Sequence, residues 1–387
     1  MKHLRFRFIL LTVIFLLTLI FPIINQFTNI IPDIANSENK EPTKKPTLII
    51  KEIDQYPLQF ENFFNDHFSI RQRLVKKYVD FHLFLFQMTP NPDQVVLGKD
   101  KWLFLGGKET DVYTGKNRLT QEELILLTEE LEYRQNYLQN LNCQFYFVIA
   151  PVKSSIYPEF FPKKYLISNP ESGGRQLISY LNKNSSVKTI DLYKLNQWKN
   201  LGLLYYKIDN HWNKQGAFLA SNIIIQSLKK DFPNLQEWPL ETMTINKKVI
   251  NTGNLAGMLS NTTLFTDTLY ELTPEKGFKA KEVSKREYPV VKGFPYPWEF
   301  ESDREIEGSE FPKILIISDS FGGNLFPYIS ESFSRSVKIF DSWQYKLNEN
   351  IVTAEKPDIV ILMVLESNLR NMFEHFSKPN NQTPSKK

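Results

Sequence analysis

Cysteine is nearly missing: Cys143 stands alone in 387 residues. No disulfide can close within the chain, and a thiolate-held metal cluster is excluded. Cys143 opens an apolar run, so it reads as a core residue rather than a nucleophile. Histidine is also scarce, at five residues, and no spacing gathers three convergent metal ligands. There is no block of cations interleaved with aromatics. The 47 Lys and Arg are scattered and nearly offset by 43 Asp and Glu, so nucleic acid is not expected as a partner. Internal repeats are missing too. Aromatics, by contrast, are plentiful at 14%. That suits a packed globular core and also suits carbohydrate contacts.

One long apolar run exists, and it lies at the N-terminus. Phe8 to Ile24 carries no charge, and Lys2, Arg5 and Arg7 precede it. About 17 apolar residues is the short end of a membrane span. Flanking cations stay in the cytoplasm, which sends the rest of the chain outward. A cleaved signal peptide is the competing reading. Residues 1–25 are therefore read as a membrane anchor or signal peptide, in the cytoplasmic membrane with the remainder periplasmic or extracellular. A polar, Pro/Lys-rich stretch over 26–48 reads as a linker.

From about residue 49 to 375 the pattern is that of one globular body. Aromatic residues at helical spacing fill 60–86, and VVLGKDKWLFLGG (95–107) reads as a hairpin turning at Gly98-Lys99-Asp100. Thr120 and Glu123 form a candidate capping box for a helix over 120–141. Apolar strands are predicted over 144–151, 186–193, 313–320, 336–343 and 358–366. Helices are predicted over 174–182, 213–230 and 321–333. Strands alternating with helices imply an α/β fold, a mostly parallel sheet covered on both faces. Residues 234–300 break the alternation and read as a β-rich insertion; 376–387 read as a flexible tail.

Two stretches carry chemistry. KILIISDSFG (313–322) is a buried strand ending in Ser320 at the start of a helix. Ligands gather at such strand ends. Backbone N–H groups of Ser320 and its successors would point into the same space, at the positive end of a helix, where they could hold an oxyanion. Gly322 and Gly323 would let backbone come close to a substrate. YYKIDNHWNKQGAF (205–218) places Asp209 two residues before His211, just ahead of a helix. A serine hydroxyl needs a base, and an imidazole needs a partner that sets its tautomer. Asp209, His211 and Ser320 could supply all three. The competing reading makes Asp209 the cap of the next helix and His211 a surface residue. Ser318 is a rival nucleophile that should be more buried. Asp319 should point away from Ser320.

DNHW (209–212) and SDSFG (318–322), with FNDHFSIRQRL (64–74), VVLGKDKWLFLGG (95–107) and APVKSSIYPEFFP (150–162), resemble the SGNH-hydrolase-like alginate O-acetyltransferases of the AlgJ and AlgX type, the DHHW proteins. GNLAGMLS (253–260) resembles a Gly-Asp-Leu loop of that family, with Asn254 where Asp is usual. The resemblance implies a flavodoxin-like sheet with a permuted catalytic order, Asp and His before Ser. It implies that Asp209 orients, His211 is the base and Ser320 carries acetyl. Phe321 matches the family's aromatic residue after the serine, and Phe321, Gly322, Asn324 and Lys153 are candidates for an oxyanion donor or a support of the pocket; the competing readings make Lys153 a solvated surface lysine and Asn324 a cap or solvent-facing residue. It further implies an acetyl group drawn from acetyl-CoA, passed outward by a membrane-bound O-acyltransferase, and delivered to a polysaccharide, with no cofactor bound. An esterase with the same three residues, a non-catalytic polysaccharide-binding assembly protein and an alanyl transferase remain alternatives.

Overall fold

The computed structural model describes residues 2–34, 42–261, 263–286, 288, 301–341, 344–374 and 376. They form two units, Met1–Val96 with Asn251–Phe265, and Leu97–Ile250 with Thr266–Lys387. The division falls inside the stretch read from the sequence as one body and inside the inserted stretch.

In the first unit, α1 (Lys2–Thr28) contains a 24-residue segment, Arg5–Thr28, whose most apolar 18 residues have a mean hydropathy of 2.6. It is long and apolar enough to cross a membrane. Its last turns are tied down. The Asn25 amide donates to the Ile31 carbonyl at 2.9 Å and to Ser69 Oγ at 2.7 Å, and accepts the Ile31 N–H at 2.8 Å. α2 (Tyr56–His67) and α3 (Arg71–Phe86) follow. Asp33 accepts the N–H groups of Gln72 and Arg73, serving the first turn of α3. Residues 29–34 therefore pack back on α3 instead of hanging as a linker. Thr43 is likewise held, its N–H on the Asp66 carboxylate at 2.9 Å. The middle of that linker, 35–41, lies outside the described residues.

The boundary between the units falls in β1 (Val95–Leu97). The chain then turns, with the Gly98 N–H on the Trp102 carbonyl at 2.7 Å, into β2 (Leu103–Leu105) and α4 (Lys108–Thr114). α5 (Gln121–Gln139) opens on the capping box expected from Thr120 and Glu123, with both reciprocal bonds formed. Next come β3 (Gln144–Ala150), α6 (Lys153–Ile156), α7 (Gly173–Asn184), β4 (Lys188–Asp191), α8 (Lys214–Leu228) and β5 (Met243–Ile250). α9 (Asn254–Met258), which holds Asn254, belongs to the first unit. The second unit resumes with β6 (Asp267–Pro274), β7 (Lys281–Glu282), β8 (Glu301–Glu305), β9 (Lys313–Ser318), α10 (Phe321–Ile329), β10 (Arg335–Phe340), α11 (Glu349–Glu355) and β11 (Ile359–Leu365).

The central sheet runs β4-β3-β11-β9-β10-β8-β7. The first five strands are parallel; β8 and β7 add an antiparallel edge. The sheet is thus mixed, with a parallel centre. β3, β11 and β9, at its parallel centre, are almost wholly apolar because both faces are covered. Phe145, Phe147, Val360, Val364, Leu315 and Val337 face a core shared with α5, α7 and α11. α8 and α10 pack on each other and against strands of the same sheet. Within the inserted stretch, β5 and β6 pair as an antiparallel ladder, Met243↔Pro274 to Ile250↔Asp267. Residues 289–300 of that stretch, the last two of the strand expected over 336–343, and the tail beyond 376 lie outside the described residues.

The antiparallel edge is fastened by charge. Arg335 on β10 reaches Asp303, Glu305 and Glu355, each at 2.6 Å. Asp303 and Glu355 are buried. These bonds and charges raise the guanidinium above its ordinary range against the opposing effect of its own burial.

Candidate active site

β9 ends at Ser318, and the next three residues form a tight turn into α10. Asp319 organises it. Its buried carboxylate accepts the Phe321 N–H, the Tyr345 hydroxyl and the Leu365 N–H, each at 2.8 Å. Burial pushes this carboxyl up, and the three donors oppose the rise. Asp319 is thus spent on the scaffold. Ser318 is fully buried, while Ser320 is exposed at the strand's carboxyl end.

Asp209 and His211 sit on a loop closed like a small hairpin. Tyr205 and Trp212 form an antiparallel bridge, the Tyr206 N–H meets the His211 carbonyl at 3.2 Å, and the Asn213 N–H meets that of Leu204 at 2.9 Å. The cap of α8 is Asn213, whose Oδ1 accepts the Gly216 N–H at 2.9 Å. Asp209 does not cap that helix. Its Oδ1 accepts both the backbone N–H of His211, at 3.0 Å, and the Nδ1–H, at 2.7 Å. A carboxylate on Nδ1 places the proton there and leaves Nε2 as an acceptor. Nε2 lies 2.7 Å from Ser320 Oγ. The structure therefore brings Asp209, His211 and Ser320 into one hydrogen-bonded chain that ends at solvent.

The two motifs are also fastened to each other away from this chain. Trp212 is buried, and its Nε1–H donates to the Phe321 carbonyl at 3.0 Å. The Phe321 ring lies 5.0 Å from those of His211 and Trp212, fixing the imidazole plane. The Asn324 amide donates to the Trp212 carbonyl at 3.1 Å, so Asn324 acts as a tie between α10 and the loop.

Of the backbone N–H groups expected to face an oxyanion, those after Ser320 are taken within the turn. The Phe321 N–H goes to the Asp319 side chain, the Gly322 N–H to the Asp319 carbonyl, and the Gly323 N–H to the Ser320 carbonyl. Tight i→i+3 bonding at the helix start consumes them. The Ser320 N–H has no hydrogen bond among the described residues. Gly322 has a packing reason: a Cβ there would lie 2.0 Å from Ser318 Oγ, whereas one at Gly323 would meet nothing within 4 Å.

Lys153 is fully buried, not a surface lysine. Its ammonium donates to the carbonyls of Asp209 at 2.6 Å, Tyr206 at 3.0 Å and Lys207 at 3.2 Å. All three N–H donors are used on the loop that carries Asp209 and His211. Burial pushes this amine down to about 8, against the pull of Glu109, Asp209 and Asp267. Lys153 thus supports the pocket from behind instead of facing an oxyanion.

Two residues were not singled out from the sequence. Asp267, buried at the start of β6, accepts the N–H groups of Lys207 and Ile208 from the same loop. Glu109 accepts the N–H groups of Ser154 and Leu105 and is the main opposite charge for Lys153. A cation thus holds the loop's carbonyls and an anion its amides. Neither carboxylate stands in a local motif that would reveal it. Each is brought to the loop only by the path of the chain.

The comparisons with known proteins bear on the family and the fold. The family model described as "SGNH hydrolase-like domain, acetyltransferase AlgX" matches residues 95–340. Among curated proteins, "Probable alginate O-acetylase AlgJ" of Pseudomonas putida is 28% identical over 137 residues, 35% of this chain. That match spans 34% of AlgJ, about a third of its length. Among solved structures, Bacillus cereus PatB1 with a sulfonyl adduct superposes with a TM-score of 0.52 at 18% identity, over 71% of this chain and 97% of that one. A second PatB1 structure gives 0.51 at 18% identity, over 70% and 95%. At that identity the likeness shows the fold, an SGNH-like α/β architecture. Because the family model covers more than half of the chain, the protein belongs to the SGNH hydrolase-like acetyltransferase family of the AlgX type.

Proposed function

We propose that this protein is an O-acetyltransferase that carries an acetyl group on Ser320 and passes it to hydroxyls of an exported polysaccharide. The observation that carries the reading is the Asp209–His211–Ser320 chain, with Nε2 at 2.7 Å from an exposed Oγ.

The chemistry follows from the groups present. His211 Nε2 takes the Ser320 proton as Oγ attacks the donor's acetyl carbonyl. Asp209 stabilises the imidazolium that results. The Ser320 N–H supplies one donor for the developing oxyanion. Collapse of the intermediate expels the donor's leaving group, which takes the proton from His211, and leaves acetyl on Ser320. An acceptor hydroxyl then enters, gives its proton to His211 and attacks the acetyl carbon. Breaking the ester to Oγ returns that proton to the serine. No bound cofactor is required.

The donor is proposed to originate from cytoplasmic acetyl-CoA and to arrive through a membrane-bound O-acyltransferase. With α1 as an anchor and the second unit outside the cytoplasm, the acetylated partner and Ser320 would share one membrane, which raises their effective concentration. In the acceptor groove, water exclusion decides transfer over hydrolysis.

The test uses the full chain in lipid vesicles with p-nitrophenyl acetate as donor. Mass spectrometry should find one acetyl group on the Ser320 peptide, lost in Ser320→Ala and in His211→Ala. A hydroxyl-bearing oligosaccharide should then take up the acetyl faster than water does. Acetylation that is unchanged in His211→Ala would overturn the reading. Uptake by water alone would replace the transferase with an esterase.

A further inference from the structure

The first unit holds a surface that the acetyl-transfer chemistry does not use. α3 carries two apolar stripes. Val79 and Leu83 are buried, with Gln72 and Asp80 of the same helix bonded to Ser260 and Asn261 of the unit's later segment. On another face, Leu74, Tyr78, Phe81 and Leu85 follow one another at four, three and four residues, which places them in one line along a helix. They are 46%, 56%, 55% and 56% exposed. Phe84, beside this line, is 88% exposed. α2 is odder still: it buries none of its residues, yet displays Leu58, Phe60 and Phe64. A 12-residue helix with no buried face is marginal in water. Among the described residues α1 meets it only along the side of Phe63 and Phe64, and Leu58 and Phe60 are left without an apolar environment.

The position of this surface names the environment. Asn25, in the last turns of α1, is bonded to Ser69 in the turn between α2 and α3. The exposed rings therefore begin where the candidate membrane span ends. An apolar cavity of about 280 Å³, lined by Pro22, Ile23 and Phe27 of α1 and by Phe63, Phe64 and Phe68, joins the two surfaces. We infer that α2 and α3 lie in the interfacial layer of the bilayer that α1 spans, with the Leu74–Leu85 stripe among the upper acyl chains. Aromatic and leucine faces of this kind bury themselves at the boundary between headgroup and acyl chain. The first unit is then held by three helices, and the anchor cannot swing freely about Thr28. A membrane-protein partner seated on the same stripe is the alternative occupant.

Depth-resolved spin labelling tests this on the full chain in vesicles of pure phosphatidylcholine, which contain no partner. Cys143 is buried and its thiol is pushed up to about 12, so introduced cysteines are labelled selectively. Nitroxides at Leu74→Cys and Leu85→Cys, the two ends of the stripe, should collide with dissolved oxygen far more than with a water-soluble nickel chelate. Glu122→Cys on α5 is the aqueous reference, and Leu16→Cys reports whether α1 itself is in the bilayer. If Leu16→Cys is shielded while both stripe labels behave like Glu122→Cys, the inference fails and the stripe belongs to a protein partner. If only one end of the stripe is shielded, α3 does not lie in the interface and the inference also fails. Acetylation of Ser320 is read separately and stands or falls independently of these labels.

Discussion

At the scale of single residues, the chain from Asp209 to Ser320 separates geometry from charge. Asn in place of Asp209 can keep a hydrogen bond to Nδ1 but cannot offset the imidazolium, and it favours the wrong tautomer. Asp209→Asn should lower the rate of Ser320 acetylation roughly ten-thousand-fold, the scale known for such a substitution in a serine–histidine–aspartate relay. Stopped-flow release of p-nitrophenolate measures it, with unchanged far-UV circular dichroism showing that the fold is kept. Lys153 is a second case. Its folded pKa of about 8 lies below the ordinary ~10.4. Between these values the unfolded chain binds more protons than the folded one, so this group's contribution to stability rises with pH across that window. Below about 8 the buried charge is fully present and its desolvation cost is felt in full. The urea midpoint of the wild type should therefore gain on that of Lys153→Met as pH is raised from about 8 to about 10. A gap that stays constant, or closes the other way, would show that burial does not depress this amine.

At the scale of elements, the strand-to-helix turn and the 205–212 loop meet through few contacts, each with an identifiable cause. The turn depends on α10 lying close to β9, and Gly322 is where the two touch. Adding a methyl group there drives it into the Ser318 side chain. Gly322→Ala should cost about 1–3 kcal/mol, the range for overpacking a filled interior, while Gly323→Ala should be tolerated. Paired denaturation curves check this, and equal effects would contradict the packing account. The loop shows the limit of reading elements locally. DNHW could be placed before a helix from its letters, but the residue that caps that helix could not. Asn213 takes the cap because its side chain reaches the Gly216 N–H, and this releases Asp209 to face the imidazole.

At the scale of the whole chain, the second unit's sheet ends in an antiparallel pair that the alternating pattern did not foretell. Arg335 joins that edge to α11 through Asp303, Glu305 and Glu355. Removing the cation would leave buried Asp303 without its counter-charge and buried Glu355 with only the half-exposed Arg286. Arg335→Met should destabilise the fold by about 3–5 kcal/mol. Chemical denaturation checks it, and a loss below about 1 kcal/mol would place the network in the weak class of exposed pairs. The division of the chain into units was hidden for a related reason. Residues 251–265 join the first unit through bonds such as that between Asn261 and Asp80, far apart in sequence.

What the letters alone determined was periodic and local. An apolar run preceded by cations marked the membrane-crossing candidate, the Thr120–Glu123 box marked the start of α5, and unbroken apolar strands marked a sheet covered on both faces. Ser320 could be placed at a strand end because the run from Lys313 stops there and a helix begins. What only the tertiary structure decided was which donors and charges meet. The Phe321 and Gly322 N–H groups turned out to be consumed within the turn, Lys153 to be buried beneath the loop, and Asp267 to hold that loop's amides. The physical reason is that periodicity is written in neighbouring residues, whereas the partner of a buried polar group is set by where distant segments of the chain come to lie.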